Sequence, residues 1–331
     1  MNSIFEIKDN FATYRDVNSE LQYGSHDAVK NPAVTIIVPC YNHPKYLKKA
    51  LLSAINQDYD KEYEIVVVDN DDSSEYTENR RIVEAVDSPK ILYYHNKKNI
   101  GGIGNWNRGV ELARAPYITY CHDDDMLLPN CLSILMECQS RHGDKAVFGL
   151  RNYIDKDDKI TFETKFHSKF FSLVRPRQER EYTLIHHFLL PMGFCVGSLY
   201  NRCKFIELGG FGTCFSPIDD AAFAGCYVKY FGAVQPLMPT HNYRIAENDT
   251  FNVYKEMAIA EKHIRESDMP IIRWPIWLKK CIINATFEVS NYRFIKNFEP
   301  ENTDVVAPSL TDQLISRLAR LVSRVSLYKV L

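Results

Sequence analysis

A chain of 331 residues is long enough for one large α/β domain with additions, or for two domains. Hydrophobic residues at 45% and charged residues at 25% describe an ordinary globular chain, and a formal net charge of −2 gives no global electrostatic case for nucleic-acid binding. Nine cysteines, an odd number with no CxxC pair, argue against a disulfide framework and a thiolate zinc site; Cys40, Cys121 and Cys195 sit in apolar or strand-like runs, which predicts reduced thiols.

Residues 1 to about 32 are polar and mixed, and they predict an extension ahead of the core without the basic start and apolar run of a secretory signal. No segment approaches roughly 18 uninterrupted apolar residues, so no membrane span is expected. From Val34 a rhythm begins. "VTIIVP" is β-branched and apolar, as expected of a strand buried on both faces. "NHPKYLKKALLSAIN" then places Tyr46, Leu47, Ala50, Leu51, Ala54 and Ile55 on one helical stripe, with Asn42 as the expected N-cap and Pro44 in the first turn. "YEIVVVD" follows as a strand, completing one βαβ unit. The alternation continues through a helix at "EYTENRRIVEAV", a strand at "KILYYHN", a helix at "GNWNRGVELAR" and a strand at "YITYCH". "LPNCLSILMECQSRH" reads as a helix and "AVFGLRNYI" as one strand. Strands alternating with helices predict a mostly parallel, doubly wound sheet.

Each strand empties into polar residues at its carboxyl end: "PCYN", "DNDDSS", "HNKKN" and "HDDD". Ligands of open α/β sheets bind in the crevice beyond those ends, so the four clusters are expected to line one cleft. No GxxxxGK[ST] loop is present, "GGIGNW" lacks the final glycine of GxGxxG, and no GxSxG elbow appears. What remains is acidic. Asp69 with Asn70, and Asp123 to Asp125, suit a hydroxyl-rich ligand together with Mg²⁺ or Mn²⁺, and Mg²⁺ usually takes substrate phosphates as further ligands. That combination points to a nucleoside diphosphate.

The segments "VTIIVPCYNHPKYLKKALLSAINQ", "EIVVVDNDDSSE", "NIGGIGNWNRGVELARAPYITYCHDDDMLLP", "GSLYNRCKFIELGGF" and "PIDDAAF" occur in this order. Together they resemble family 2 glycosyltransferases over residues 33–248. The resemblance implies a GT-A type, Rossmann-like α/β fold with a doubly wound, mostly parallel sheet and a helical C-terminal extension. It also implies sugar transfer with inversion from a nucleotide diphosphate sugar, assisted by Mn²⁺ or Mg²⁺, to a saccharide or lipid-linked acceptor in bacterial surface polysaccharide biosynthesis. Residue by residue, Pro39, Tyr41 and Asn42 match the first-strand loop at the nucleotide. Asp69 and Asn70 match the pair at base and ribose, and Asn99 and Asn107 match flanking positions. Trp106 stands where many relatives carry arginine, which removes one candidate phosphate partner. His122 replaces a common first aspartate of the metal motif. Asp123 is then expected at the ribose, Asp124 at metal and diphosphate, and Asp125 at the metal or behind it. Asp219 takes a glutamate position and Asp220 that of the catalytic base. Ala246 stands where the family often has histidine, leaving His241 and Arg244 as candidate replacements. The chain divides on this reading into residues 33–150 for the donor, 151–250 for the acceptor, and 251–331 as a helical region. His186 and His187, in "TLIHHFLL", read as packed or solvated, and Arg175 to Glu181 as a solvated segment.

The last stretch, "LTDQLISRLARLVSRVSLYKVL", puts Leu314, Ile315, Leu318, Leu321, Val322 and Val325 on one helical face, with Arg317, Arg320 and Arg324 beside or opposite it. Such a helix suits contact with an anionic membrane surface on its cytoplasmic side, or docking on its own domain or on a second subunit. Two other classes compete with the enzyme reading. A sugar nucleotidyltransferase would carry a glycine- and lysine/arginine-rich loop where "PCYNHPKY" stands. A non-catalytic nucleotide-sugar-binding subunit would not need both Asp124 and Asp220.

Overall fold

A computed structural model describes residues 3–72, 76–164, 179–245, 253–298, 301 and 305–324. The chain runs through β1 (Ser19–Tyr23), β2 (Val34–Cys40), α1 (Pro44–Ile55), β3 (Tyr63–Asp69), α2 (Glu78–Val86), β4 (Ile91–Asn96), α3 (Gly101–Leu112) and β5 (Tyr117–Tyr120). It continues with β6 (Met126–Leu127), α4 (Cys131–His142), β7 (Ala146–Val147), β8 (Leu150–Ile154) and β9 (Ile160–Phe162). The next part holds β10 (Glu179–Tyr182), α5 (Leu184–Leu189), β11 (Tyr200–Asn201), α6 (Arg202–Glu207), α7 (Asp219–Phe231), β12 (Ala233–Pro236) and β13 (Pro239–Arg244). The helices α8 (Tyr254–Asp268), α9 (Ile276–Phe298) and α10 (Leu310–Arg324) follow.

The main sheet has the order β1–β4–β3–β2–β5–β11. Its four middle strands are parallel, and β1 and β11 pair antiparallel at the two edges. β2 and β3 are buried along their whole length, as their β-branched runs demand. The chain builds outward from β2 through β3 to β4, then crosses back to place β5 on the other side of β2. The switch point between β2 and β5 is where an open α/β sheet opens its ligand crevice. Tyr46, Leu47, Ala50, Leu51 and Ala54 of α1 are buried, and the helix starts at Pro44. Its N-cap is His43 rather than Asn42, without a side-chain capping bond, because Asn42 takes a positive φ of 46° in the loop before it.

Two readings of the sequence change. The first 32 residues are not merely an extension: β1 adds an edge strand, and Ile4, Phe11 and Val29 are buried. Arg108 donates to the carbonyls of Tyr14 (2.7 Å) and Val17 (2.7 Å), and Arg114 to that of Val29 (2.8 Å), so a buried and a half-buried guanidinium hold this segment down. The run "AVFGLRNYI" is two strands, β7 and β8, in different sheets. The break falls at Gly149, where a Cβ would lie 1.9 Å from the Gly197 carbonyl oxygen and 2.2 Å from Thr240 Oγ1, so only glycine lets the backbones approach. Past the break β8 pairs parallel with β13, which also pairs with β6.

The C-terminal helices pack on one another and on α5. Ile315, Ala319 and Val322 of α10 face a cluster with Phe188, Ile272, Ile282 and Ile283. The other side of α10 leaves Leu310, Leu314, Leu318 and Leu321 exposed. Val325 lies outside the described residues. No described helix is long and apolar enough to cross a membrane, and all nine cysteines are free.

Candidate active site

The loops after β2 and β5 meet at the switch point. Asp123 is held against the first of them: His43 Nδ1 lies 4.0 Å from Asp123 Oδ1, and the Tyr41 backbone hydrogen-bonds the carboxylate. Burial nevertheless outweighs these partners and raises the Asp123 pKa. Pro39 is buried at the end of β2, whereas Tyr41 and Asn42 are exposed at the rim.

Behind Asp123 lies a set of atoms that fit a cation. Ligand atoms of His122, Asp124 and Asp125 all lie within 4.8 Å of one another. Asp125 is buried; its Oδ1 accepts from the Arg244 backbone N–H (2.8 Å), while Oδ2 is buried without a hydrogen-bond partner. His122 Nε2 is likewise buried and unpartnered, and Nδ1 stands 3.7 Å from Asp125 Oδ2. Burial, then the neighbouring Asp124 charge, pushes the Asp125 pKa far up, and burial raises that of Asp124. Burial lowers the His122 pKa against the pull of Asp124, which favours the neutral imidazole that ligates metals. Two orphaned acceptor atoms beside an uncompensated carboxylate pair match a divalent cation with mixed oxygen and nitrogen ligands. Sequence reasoning named Asp124 and Asp125; the fold adds His122, which Trp106 covers at 4.8 Å between ring centroids.

Asp220 opens α7, and its Oδ1 accepts from the Ala221 N–H (2.9 Å). A Cβ at Gly193 would come within 1.8 Å of Asp220 Oδ2, so glycine there leaves room for the carboxylate. Burial raises the Asp220 pKa and the Arg151 charge opposes it. Asp220 and the acidic cluster lie within electrostatic reach of the same two side chains. Arg151 lies within electrostatic reach of both Asp220 and Asp125, and the Tyr243 hydroxyl is pushed up by burial and by the charges of Asp125, Asp124 and Asp220. Asp219 turns away from this group: its Oδ1 accepts from the Phe215 N–H (2.9 Å), and burial pushes its pKa up to about 6.

Other expected contacts are committed inside the protein. The Asp69 carboxylate accepts from Thr77 Oγ1 (2.7 Å), the Tyr93 hydroxyl (2.6 Å), Asn79 Nδ2 (3.2 Å) and the Asp71 N–H (3.0 Å). A carboxylate offers about four acceptor positions, so this one has none left for a ribose or a base. Asn70 gives its Nδ2 to Asn99 Oδ1 (2.8 Å), and its Oδ1 accepts from Asn96 Nδ2 (3.0 Å) and the Ile100 N–H (3.0 Å). Asn99 Oδ1 also accepts from the Gly101 N–H (2.8 Å). Asn107 clamps the backbone of Phe211 through both ends of its amide, at 2.8 and 2.9 Å. The direct nucleotide contacts expected of Asp69, Asn70 and Asn107 are therefore replaced by support of the loops that frame the cleft.

The two candidates for the histidine missing at Ala246, itself outside the described residues, differ. Arg244 is fully buried and spent: it donates to the Asp124 carbonyl (2.8 Å), the Asp155 carbonyl (2.6 Å) and Asp158 Oδ1 (2.6 Å). His241 faces the cleft from β13, and burial, Arg151 and His122 hold its pKa well below the ordinary imidazole value. Elsewhere, His187 is a buried structural group, with Nδ1 2.7 Å from Asp268 Oδ2, and Arg180 is buried on Gln235 and the Ser323 carbonyl instead of solvated. Arg175 to Gln178 lie outside the described residues. Sequence reasoning missed Arg151, Tyr153 and Tyr243, whose alternation along two strands becomes a shared face only once β8 and β13 pair.

Comparison with known proteins bears on the family and the fold. The sequence model of the family described as "Glycosyl transferase family 2" matches residues 35–209, more than half of the chain. A putative colanic acid biosynthesis glycosyl transferase, WcaA of Escherichia coli K12, is 35% identical over 106 residues, 32% of this chain and 37% of that protein. The GalNAc(5)-diNAcBac-PP-undecaprenol beta-1,3-glucosyltransferase of Campylobacter jejuni is 36% identical over 135 residues, 40% of this chain and 42% of its own length. The chain thus spans about two fifths of these relatives. Among solved structures, S. aureus TarS 1-349 in complex with UDP-GlcNAc superposes with a TM-score of 0.59 at 16% identity, covering 86% of this chain and 79% of TarS 1-349. The mannosyltransferase PcManGT from Pyrobaculum calidifontis, in complex with GDP-Man and Mn²⁺, gives 0.55 at 16% identity, with coverages of 96% and 86%. The fold is of the GT-A type, and the chain belongs to glycosyl transferase family 2.

Proposed function

We propose that the protein is an inverting glycosyltransferase. It moves a sugar from a nucleotide diphosphate sugar to a hydroxyl of a saccharide or lipid-linked acceptor in bacterial surface polysaccharide synthesis. The observation that carries this reading is that two carboxylate centres, the His122–Asp124–Asp125 group and Asp220, act electrostatically on the same pair of side chains, Arg151 and Tyr243. Residues 33–150 would bind the donor and residues 151–250 the acceptor. The relatives named for colanic acid and for an undecaprenol-linked glycan favour such an acceptor, and the complexes with UDP-GlcNAc and GDP-Man favour such a donor.

In this mechanism Asp220 takes the proton of the acceptor hydroxyl as that oxygen attacks the anomeric carbon. Its raised pKa suits the task, since a carboxylate nearer neutrality is a better base, and general-base help contributes about 10²–10⁴-fold. Attack and departure on opposite faces invert the anomeric centre. His122, Asp124 and Asp125 would hold Mn²⁺ or Mg²⁺, which supplies positive charge to the leaving diphosphate. Asp123, with Tyr41 and Asn42 at the rim, would frame the nucleoside. The exposed leucines of α10, with Arg317 also exposed, would rest on the anionic cytoplasmic face of a membrane, close to a lipid-linked acceptor.

The test is a thermal-shift panel of UDP-, GDP- and dTDP-sugars with and without Mn²⁺, because a ligand of the native state raises its stability. One donor is expected to raise the unfolding temperature only with the metal. Asp220→Asn is then expected to keep that shift while kcat drops about 10²–10⁴-fold. Full activity in that variant would remove Asp220 from the mechanism.

A further inference from the structure

Arg151 lies within electrostatic reach of both Asp220 and Asp125, and no motif points to it. In the parallel pairing of β8 with β13, Arg151 is opposite His241 and Tyr153 is opposite Tyr243, so the four side chains share one face of the sheet. The guanidinium lies over the Tyr243 ring at 5.2 Å and the Tyr153 ring at 5.9 Å. These stacking contacts favour the cation but satisfy none of its N–H donors. The Arg151 guanidinium makes no hydrogen bond and no ion pair among the described residues.

The neighbouring arginines are unlike it. Arg244 spends its guanidinium on Asp124, Asp155 and Asp158, and Arg108 on the carbonyls of Tyr14 and Val17. Neither Asp220 nor Asp125 comes within ion-pairing distance of Arg151, although both feel its charge. A guanidinium meant only to neutralise them would touch one. The balance of charge points the same way. Asp125 and Asp220 already act on Arg151, with Asp124 beside Asp125, and a diphosphate brings more negative charge than one divalent ion cancels. Trp106, stacked on His122, occupies the place where a phosphate-binding arginine was missing from the sequence.

We propose that Arg151 is the direct cationic contact of the distal phosphate of the departing nucleoside diphosphate. Its planar fork, pre-set by the two tyrosine rings, matches two phosphate oxygens in a way that a lysine would not. This inference rests on the glycosyltransferase reading and adds a residue to it.

The test is calorimetric binding of UDP, GDP and dTDP, each against its monophosphate, with Mn²⁺ present, to the wild type, Arg151→Met and Arg151→Lys. For the diphosphate that binds the wild type, Arg151→Met is expected to weaken affinity at least tenfold, with the monophosphate changed less than twofold. Arg151→Lys is expected to recover part of the loss. An unchanged diphosphate affinity, with a shift only in the acid limb of the kcat/KM profile, would mean that Arg151 acts on Asp220 alone, and the proposal would fall. Equal losses for monophosphate and diphosphate would also overturn it, since they report a collapsed cleft. A wild type that binds no nucleoside diphosphate at all would overturn the glycosyltransferase reading itself.

Discussion

Single residues decide what the cleft can bind. Asp125 is the clearest case, with one oxygen held by the Arg244 N–H and the other buried without a partner. An uncompensated carboxylate costs stability until a cation arrives. Asp125→Asn is therefore expected to leave the unfolding temperature of the metal-free protein unchanged or higher, and to abolish the further rise caused by Mn²⁺; a scanning calorimeter measures both. Asp220 makes a separate prediction through its charge. Its pKa is raised, and the base works only when deprotonated, so activity should fail on acidification at a pH above the ordinary carboxylate range near 3.8. A kcat/KM profile whose acid limb lies at or below the ordinary carboxylate value would contradict this assignment. Asp125 was legible because acids clustered after an apolar strand are unusual, whereas Asp220 was legible only through the family resemblance of "PIDDAAF". Arg151 was not, since a lone arginine in a strand reads as a solvated position, and only the register with β13 turns it inward.

At the level of elements, the alternation of strands and helices could be read directly, because β-branched runs and a 3.6-residue apolar stripe are different patterns. The division at Gly149 could not. Composition is the same on both sides of it, and the cause lies far along the chain, at Gly197 and Thr240. Asparagines misled for a related reason. Asn70 and Asn99 match the family's nucleotide-flanking positions, yet with Asn96 and Asn105 they form a hydrogen-bonded lattice tying the carboxyl ends of β3 and β4 to the start of α3. The sequence put Leu314, Ile315, Leu318, Leu321 and Val322 on one face of α10 with two alternative uses, docking or membrane contact, and the fold divides that face, using Ile315, Ala319 and Val322 for docking. The outer leucines remain for another surface. Leu314→Glu with Leu318→Glu is expected to abolish co-flotation with vesicles containing anionic lipid while transfer to a soluble acceptor analogue persists. Equal flotation of wild type and variant would refer those leucines to a protein partner or to none.

Across the whole molecule, the helical region is fastened to the catalytic half by the buried His187–Asp268 pair, which links α5 to α8 and reaches the Ala221 carbonyl of α7 (2.9 Å). Burial pulls the His187 pKa down, but the charge and hydrogen bond of Asp268 prevail and leave it raised. A raised folded-state pKa stabilises the fold below the unfolded value near 6.5, and that contribution fades as pH rises through the folded value. The unfolding temperature is thus expected to fall on the alkaline side, with a slope lost in His187→Gln. Removing one partner of a buried pair costs about 3–5 kcal/mol, so Asp268→Ala should lower stability by that order in chemical denaturation. The same wholeness holds at the opposite border. β1 covers the outer rim of β4, where unpaired N–H and C=O groups would otherwise recruit strands from other molecules. A chain trimmed to the family-matched region, which begins at residue 35, would lose that guard and self-associate through the bared backbone. The unassuming first segment thus shields a sheet edge from other backbones.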